Sequence, residues 1–242
     1  AGKYDSVFCV NQGPREKRLE DLLSAVRTIY ASTMSERALM YRARRGILDR
    51  DEPMGLLVQR VSGVQQGNLF YPHVAGVALS FNPYAWSEQI DPAMGMMRRV
   101  MGLGTRAVDR SDDDYTRVVS LSDPERRPES NFDSVRQYAQ KRIDVLDLED
   151  NQLTTHAFTE VAKLSSNLPL AMVATVDDEL EQRAREHGMK DVFPWVLTFE
   201  QLLRNTPFVA DMQEMLKTLQ HAYDYPVDVE FTANFINDHH YR

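Results

Sequence analysis

Cysteine is nearly absent from this sequence: among 242 residues, Cys9 is the single thiol. One thiol cannot close an internal disulfide, and no Cys/His cluster has the spacing of a zinc site. A reducing, cytoplasmic setting fits. Long apolar runs are missing too, since no stretch approaches the roughly 20 apolar residues of a membrane-spanning helix. Basic charge is short, with 28 Lys and Arg against 36 Asp and Glu and a net charge of −8. That sign excludes general affinity for nucleic acid or anionic membrane, both of which depend on a positive surface. It leaves room for a local basic pocket that takes a nucleotide. The start, Ala1-Gly2-Lys3-Tyr4, has neither the charged nor the apolar region of a signal peptide. It also lacks Met, and the end, His239-His240-Tyr241-Arg242, follows a strand pattern with no turn or cap. Both ends read as cuts from something longer.

What is present is ordinary for a soluble globular chain: 43% hydrophobic and 26% charged residues, enough for one large or two modest domains. Ser6 to Val10 reads as a short strand before a turn at Asn11-Gln12-Gly13-Pro14. Leu19, Leu22, Leu23, Val26, Ile29 and Tyr30 recur at helical spacing, and Ser35 is placed to cap a second helix from Glu36 to Arg45. That helix carries Arg37, Arg42, Arg44 and Arg45, a set that either clamps phosphate or forms a solvated face. The runs 54–64 and 74–82 are rich in strand formers. Residues 94–103, with Met94, Met96, Met97 and Met101, fit helix or strand and suit ordinary core or the lining of a planar ligand. Residues 115–121 read as a strand.

Proline, serine and charge crowd together from Ser122 to Phe132, which marks the boundary between a first part, 1–122, and a second, 123–242. Ala171 to Val176 reads as a strand, Asp177 or Asp178 as the cap of a helix through His187 stopped by Gly188, and Thr198 as the cap of a short helix, Phe199 to Arg204. Phe208 to Tyr223 is amphipathic. The histidines His73, His156, His187, His221, His239 and His240 sit in no phosphohistidine-like motif and read as surface or loop residues. With strands and helices mixed and no fixed repeat, the class is α+β.

The stretch with most chemical content is Pro226-Val227-Asp228-Val229-Glu230-Phe231. It alternates, so Val227, Val229 and Phe231 share one strand face and Asp228 and Glu230 the other. Two carboxylates so placed lie about 7 Å apart. They repel unless a cation lies between them or each faces solvent, and Mg²⁺ is held by one or two carboxylates plus substrate phosphates. A half-exposed strand with a polar outer face shows the same alternation.

Several stretches in one order resemble the nucleotide-binding domain of pyruvate phosphate dikinase and phosphoenolpyruvate synthase. They are Ala1 to Ser6, Tyr30-Ala31-Ser32 with Glu36 to Arg42, Leu57 to Val61, Ala75 to Pro83, Gly102-Leu103-Gly104 and Pro226 to Phe231. The resemblance implies an ATP-grasp-like fold, two mixed α/β lobes gripping ATP, here truncated at both ends. It implies that Asp228 and Glu230 hold Mg²⁺, that Gly2 closes over the phosphates, and that Gln59 leads to a hinge where Arg60 and Val61 meet adenine. It sets Gly76 on a strand near the nucleotide. It also implies a kinase-type transferase passing phosphate from ATP to a phosphohistidine on another domain, beside a pyruvate-binding domain. Thr105, followed by Arg106, stands where this family usually has an acid. That departure keeps open a nucleotide-responsive regulatory module that transfers nothing.

Overall fold

The computed structural model describes residues 4–108, 114, 117–129, 131–189, 191–237 and 240–242. Helix α1 (Arg15–Ser32) follows Pro14, and α2 (Glu36–Arg44) is capped by Ser35, whose side chain accepts from the Ala38 N–H. The apolar stripe expected of α1 forms but finds little to cover it. Leu19, Leu22 and Leu23 are 40–55% exposed, and only Ala25 and Ser32 of this helix are buried. Neither Ser6 to Val10 nor 54–63 forms a strand. Leu57 and Val58 have the right side chains, yet no described strand lies beside them to complete a ladder, and both stay largely exposed.

Regular pairing begins with the hairpin β1 (Val64–Gln66) and β2 (Leu69–Tyr71), and continues with β3 (Val74–Leu79). A turn of 3-10 helix, Pro92–Met94, leads into β4 (Met96–Val100), then α3 (Thr105–Val108) and β5 (Val118–Ser120). Next come α4 (Phe132–Gln137), β6 (Arg142–Asp147), β7 (Gln152–Ala157) and α5 (Phe158–Leu164). The run at 171–176, expected as one strand, divides into a single helical turn, α6 (Leu170–Val173), and β8 (Ala174–Val176). Helix α7 (Asp178–Glu186) takes Asp177 as its cap, through the Leu180 N–H. After β9 (Trp195–Leu197), helix α8 (Glu200–Asn205) starts one residue later than expected, because Phe199 adopts a left-handed φ of 56° and Thr198 bonds Thr175 instead of capping. Then follow α9 (Phe208–Tyr223), β10 (Asp228–Ala233), β11 (Phe235–Asn237) and β12 (His240–Tyr241).

The strands form antiparallel sheets in the orders β1-β2-β6-β7 and β10-β3-β4-β5, with smaller pairs β8-β9 and β11-β12. Both larger sheets draw strands from either side of residue 122. One core joins them: Tyr71, Ile143 and Val145 from the first, Val74, Met97 and Val119 from the second, closed by Leu202 of α8 and Phe208, Met212 and Leu216 of α9. Each such large side chain contributes about 1.5–3 kcal/mol by leaving water. Met96, Met97 and Met101 are core, at 0–1% exposed. No helix among the described residues is long and apolar enough to cross a membrane.

His73 departs from expectation. It is 3% exposed, not a surface histidine. Its Nδ1 accepts the Phe235 N–H at 3.0 Å, its Nε2 lies 3.4 Å from Gln66 Nε2, and its backbone N–H reaches Asn234 Oδ1. It thereby links β1 to the β10–β11 corner. Burial pushes its pKa down to about 4, so the ring is neutral.

Candidate functional site

Strand β10 pairs with β3 so that Asp228 lies opposite Leu79 and Glu230 opposite Val77. The alternation read from the sequence is realised. Phe231 and Ala233 turn inward, Phe231 meeting Phe208 of α9 at 5.7 Å between ring centroids, while Asp228 and Glu230 are exposed on the outer face. Neither carboxylate makes a hydrogen bond or ion pair among the described residues, and no group of three or more potential metal ligands occurs among them.

Register carries this face across the sheet. In line with Glu230 come Val77 of β3, Arg98 of β4 and Val118 of β5. Two interstrand steps put Arg98 about 10 Å from Glu230, backbone to backbone. Arg98 is half-buried, with its Cζ 5.7 Å from the Tyr84 ring centroid and its Nη2 3.5 Å from the Tyr84 hydroxyl. Its Nε is buried with no partner among the described residues. An aromatic ring and a cation with a spare donor thus stand across the face from two free carboxylates. Sequence reading missed Arg98 because residues 94–103 fit two periodicities. Read as a strand, Met97-Arg98-Arg99-Val100 must send its two arginines to opposite faces.

The far end of the same face is covered by α3, where Ala107 packs with Ala75 and Val100. Gly102 and the rest of the Gly102-Leu103-Gly104 turn are held by Asp144 of β6. Gly102 has φ 98°, and a Cβ there would lie 2.6 Å from the Asp144 carbonyl oxygen. The Leu103 N–H donates to that oxygen at 3.0 Å. The Asp144 carboxylate, almost fully buried, accepts from Thr105 at 2.6 Å, Arg106 at 3.0 Å and Thr155 at 2.7 Å. Asp114 supports the same knot, accepting from Arg106 and from the Lys141 and Arg142 N–H groups. Thr105 therefore presents no acid after the glycines, and its hydroxyl is committed to one that arrives from β6.

The other expected site residues fall differently. Gly2 lies outside the described residues. Gln59 and Arg60 are exposed and Val61 half-buried, in an extended segment without regular structure. Asn234, at the end of β10, donates to Ser62 at 2.9 Å and brings that segment to the sheet's margin. Gly76 faces the interior: an added Cβ would lie 2.0 Å from the Arg98 carbonyl oxygen and 2.8 Å from Phe231 Cζ. Glycine there lets the Phe231 ring lie over the strand. Of the arginines on α2, Arg42 is buried and clamps its own loop, pairing with Glu52 at 3.2 Å and donating to the Leu48 and Arg50 carbonyls. Arg37, Arg44 and Arg45 are exposed.

The family model for the pyruvate phosphate dikinase AMP/ATP-binding domain matches residues 1–241. The chain belongs to this family. Among curated proteins, none matches. Membership in the dikinase nucleotide-binding family fixes the ligand class as adenine nucleotide.

Proposed function

We propose that this domain binds Mg²⁺-ATP on the outer face of the β10-β3-β4-β5 sheet, in the manner of an ATP-grasp fold, and presents the terminal phosphate for transfer to a phosphohistidine on another domain. Asp228 and Glu230 hold the metal, Arg98 faces the phosphates, and Gly2 closes over them. Gln59, Arg60 and Val61 lie along the adenine. Gly76 serves the site through register, by seating β10 against β3. The donor set suits Mg²⁺, a hard cation that takes one or two protein carboxylates and fills its remaining positions with phosphate and water. Bound there, the ion would supply charge neutralisation to the triphosphate. The protein's own part is to position and to screen, which is most of what catalysis of phosphoryl transfer requires.

The observation that carries this reading is the pair of free carboxylates on one open strand face in a chain of this family. Calorimetry of ATP binding with and without Mg²⁺ tests it, on the wild type and on the Asp228→Asn, Glu230→Gln double variant. The wild type gains affinity from Mg²⁺ and the double variant does not. Equal Mg²⁺ dependence in the two proteins would remove both acids from the site.

One observation favours a second reading, a nucleotide-responsive module that transfers no phosphate: the hydroxyl of Thr105 is spent on Asp144, so that position offers no acid. Mg²⁺-ATP binding without any labelled phosphohistidine, in the presence of the acceptor domain, would select it.

A further inference from the structure

Arg99 is the unbalanced charge of the interior. It follows Arg98 on β4, points to the opposite side of the sheet and is 3% exposed. Its Nη2 donates to the Thr198 carbonyl at 2.7 Å, and its Cζ lies 5.0 Å from the centroid of the Phe199 ring. Its Nε and Nη1 are buried with no partner among the described residues. Among the described residues the acids nearby are taken, Glu129 by Arg117 and Glu200 by Arg127. Burial, with Arg117 and Arg127 adding to it, pushes the Arg99 pKa down to about 9, which still leaves a cation at neutral pH.

A cavity of about 20 Å³, measured as room for the centres of water-sized spheres, opens between Arg99 and Arg117. Val135, Leu197 and Phe199 give it apolar walls. Gln140, also at its edge, has both amide hydrogens committed to the Met101 and Arg142 carbonyls and its oxygen to the Met101 N–H. Such a volume holds one water-sized body, which needs roughly 10–15 Å³ on this measure. A tetrahedral oxyanion of five heavy atoms does not fit. A water molecule would accept from a spare N–H but would not balance the charge, and an uncompensated buried ion is strongly unfavourable.

We propose that this cavity is a halide site, occupied by a single chloride ion that accepts from one spare N–H of Arg99, with Arg117 beside it. The ion joins four parts of the chain: β4, the segment before β5 that carries Arg117, the segment after α4 that carries Gln140, and the β9–α8 corner. At that corner Phe199 is held in a left-handed conformation that bulky residues avoid. The site lies on the face of β4 opposite the acid pair, so it is separate from the proposed nucleotide face.

Urea unfolding at constant ionic strength, in sodium chloride and in sodium gluconate, tests the proposal, because gluconate is too large to enter. For a Kd of about 20 mM, 200 mM chloride multiplies the folding constant about tenfold over gluconate. Arg99→Met removes that difference. Crystals of the wild type soaked in bromide provide a readout that needs no variant, with an anomalous peak expected in the cavity within hydrogen-bonding reach of the Arg99 guanidinium. Equal unfolding midpoints in the two salts, a chloride effect that survives Arg99→Met, or a water molecule in place of bromide would each overturn it.

Discussion

Acidification from pH 7 to pH 5 isolates the contribution of His73. Burial holds its pKa at about 4 in the folded protein, against an ordinary histidine value of 6.5. A histidine depressed in this way is neutral when folded, whereas the unfolded chain takes up a proton below about pH 6.5. The stabilisation is therefore fully present above that pH, falls as the pH drops through the window from 6.5 to 4, and changes no further below it. Over the whole window the loss is about 3 kcal/mol, and between pH 7 and 5 it is about 2 kcal/mol. Carboxylates titrate over part of the same range, so the assay is a difference. Urea melts at both pH values are compared for the wild type and His73→Asn, in which Oδ1 can stand in for Nδ1 as acceptor of the Phe235 N–H. The variant is less stable at pH 7 through lost packing, but the wild type loses about 2 kcal/mol more on acidification. Parallel losses in the two proteins would show that the buried ring is not the acid-sensitive group.

Gly76→Ala forces a Cβ against the Arg98 carbonyl oxygen, which is backbone and cannot step aside. It should cost about 1–3 kcal/mol in thermal or urea unfolding. Asp228→Asn with Glu230→Gln touches exposed, unpartnered groups and should change urea stability by no more than about 0.5 kcal/mol while removing the Mg²⁺ dependence of ATP binding. Asp144→Asn leaves Asp114 as the carboxylate partner of Arg106, weakens the bonds from Thr105 and Thr155, and so loosens the Gly102-Leu103-Gly104 turn. A loss of about 2 kcal/mol is expected, together with faster amide exchange at Leu103.

The parts of this fold that could be read in advance are those whose determinants are local. Ser35 and Asp177 cap the helices they precede, α9 has the bounds its apolar periodicity gives, and the acid pair on β10 shares a face because alternation permits nothing else. What failed depends on distant partners. Leu57 and Val58 have strand-forming side chains but no strand beside them among the described residues. Residues 171–176 have the composition of a strand, yet half of them make a helical turn after Pro169. His73 is invisible as a core residue until Gln66, Asn234 and Phe235 arrive around it from both ends of the chain. The site divides in the same way. The shared face of Asp228 and Glu230 was legible, whereas the place of Arg98 on it needed the register of β4, and Asp144 needed the crossing from β6 to the glycine turn. The sequence also placed Gly76 on the right strand without revealing that it faces the core.

Register also sets a schedule for synthesis. The Val227 N–H bonds the hydroxyl of Ser80, 147 positions earlier, and β10 lies along β3 for its whole length. At translation speeds of about 5–20 residues per second, β3 waits roughly 7–30 s after leaving the ribosome before the strand that completes it exists. During that interval Val74, Ala75 and Ala78 border a ladder with one edge unpaired, and such edges recruit strands from other nascent chains. The surface proposed to hold the metal thus cannot form until that interval has been translated, and expression yield should respond to elongation rate between residues 80 and 228.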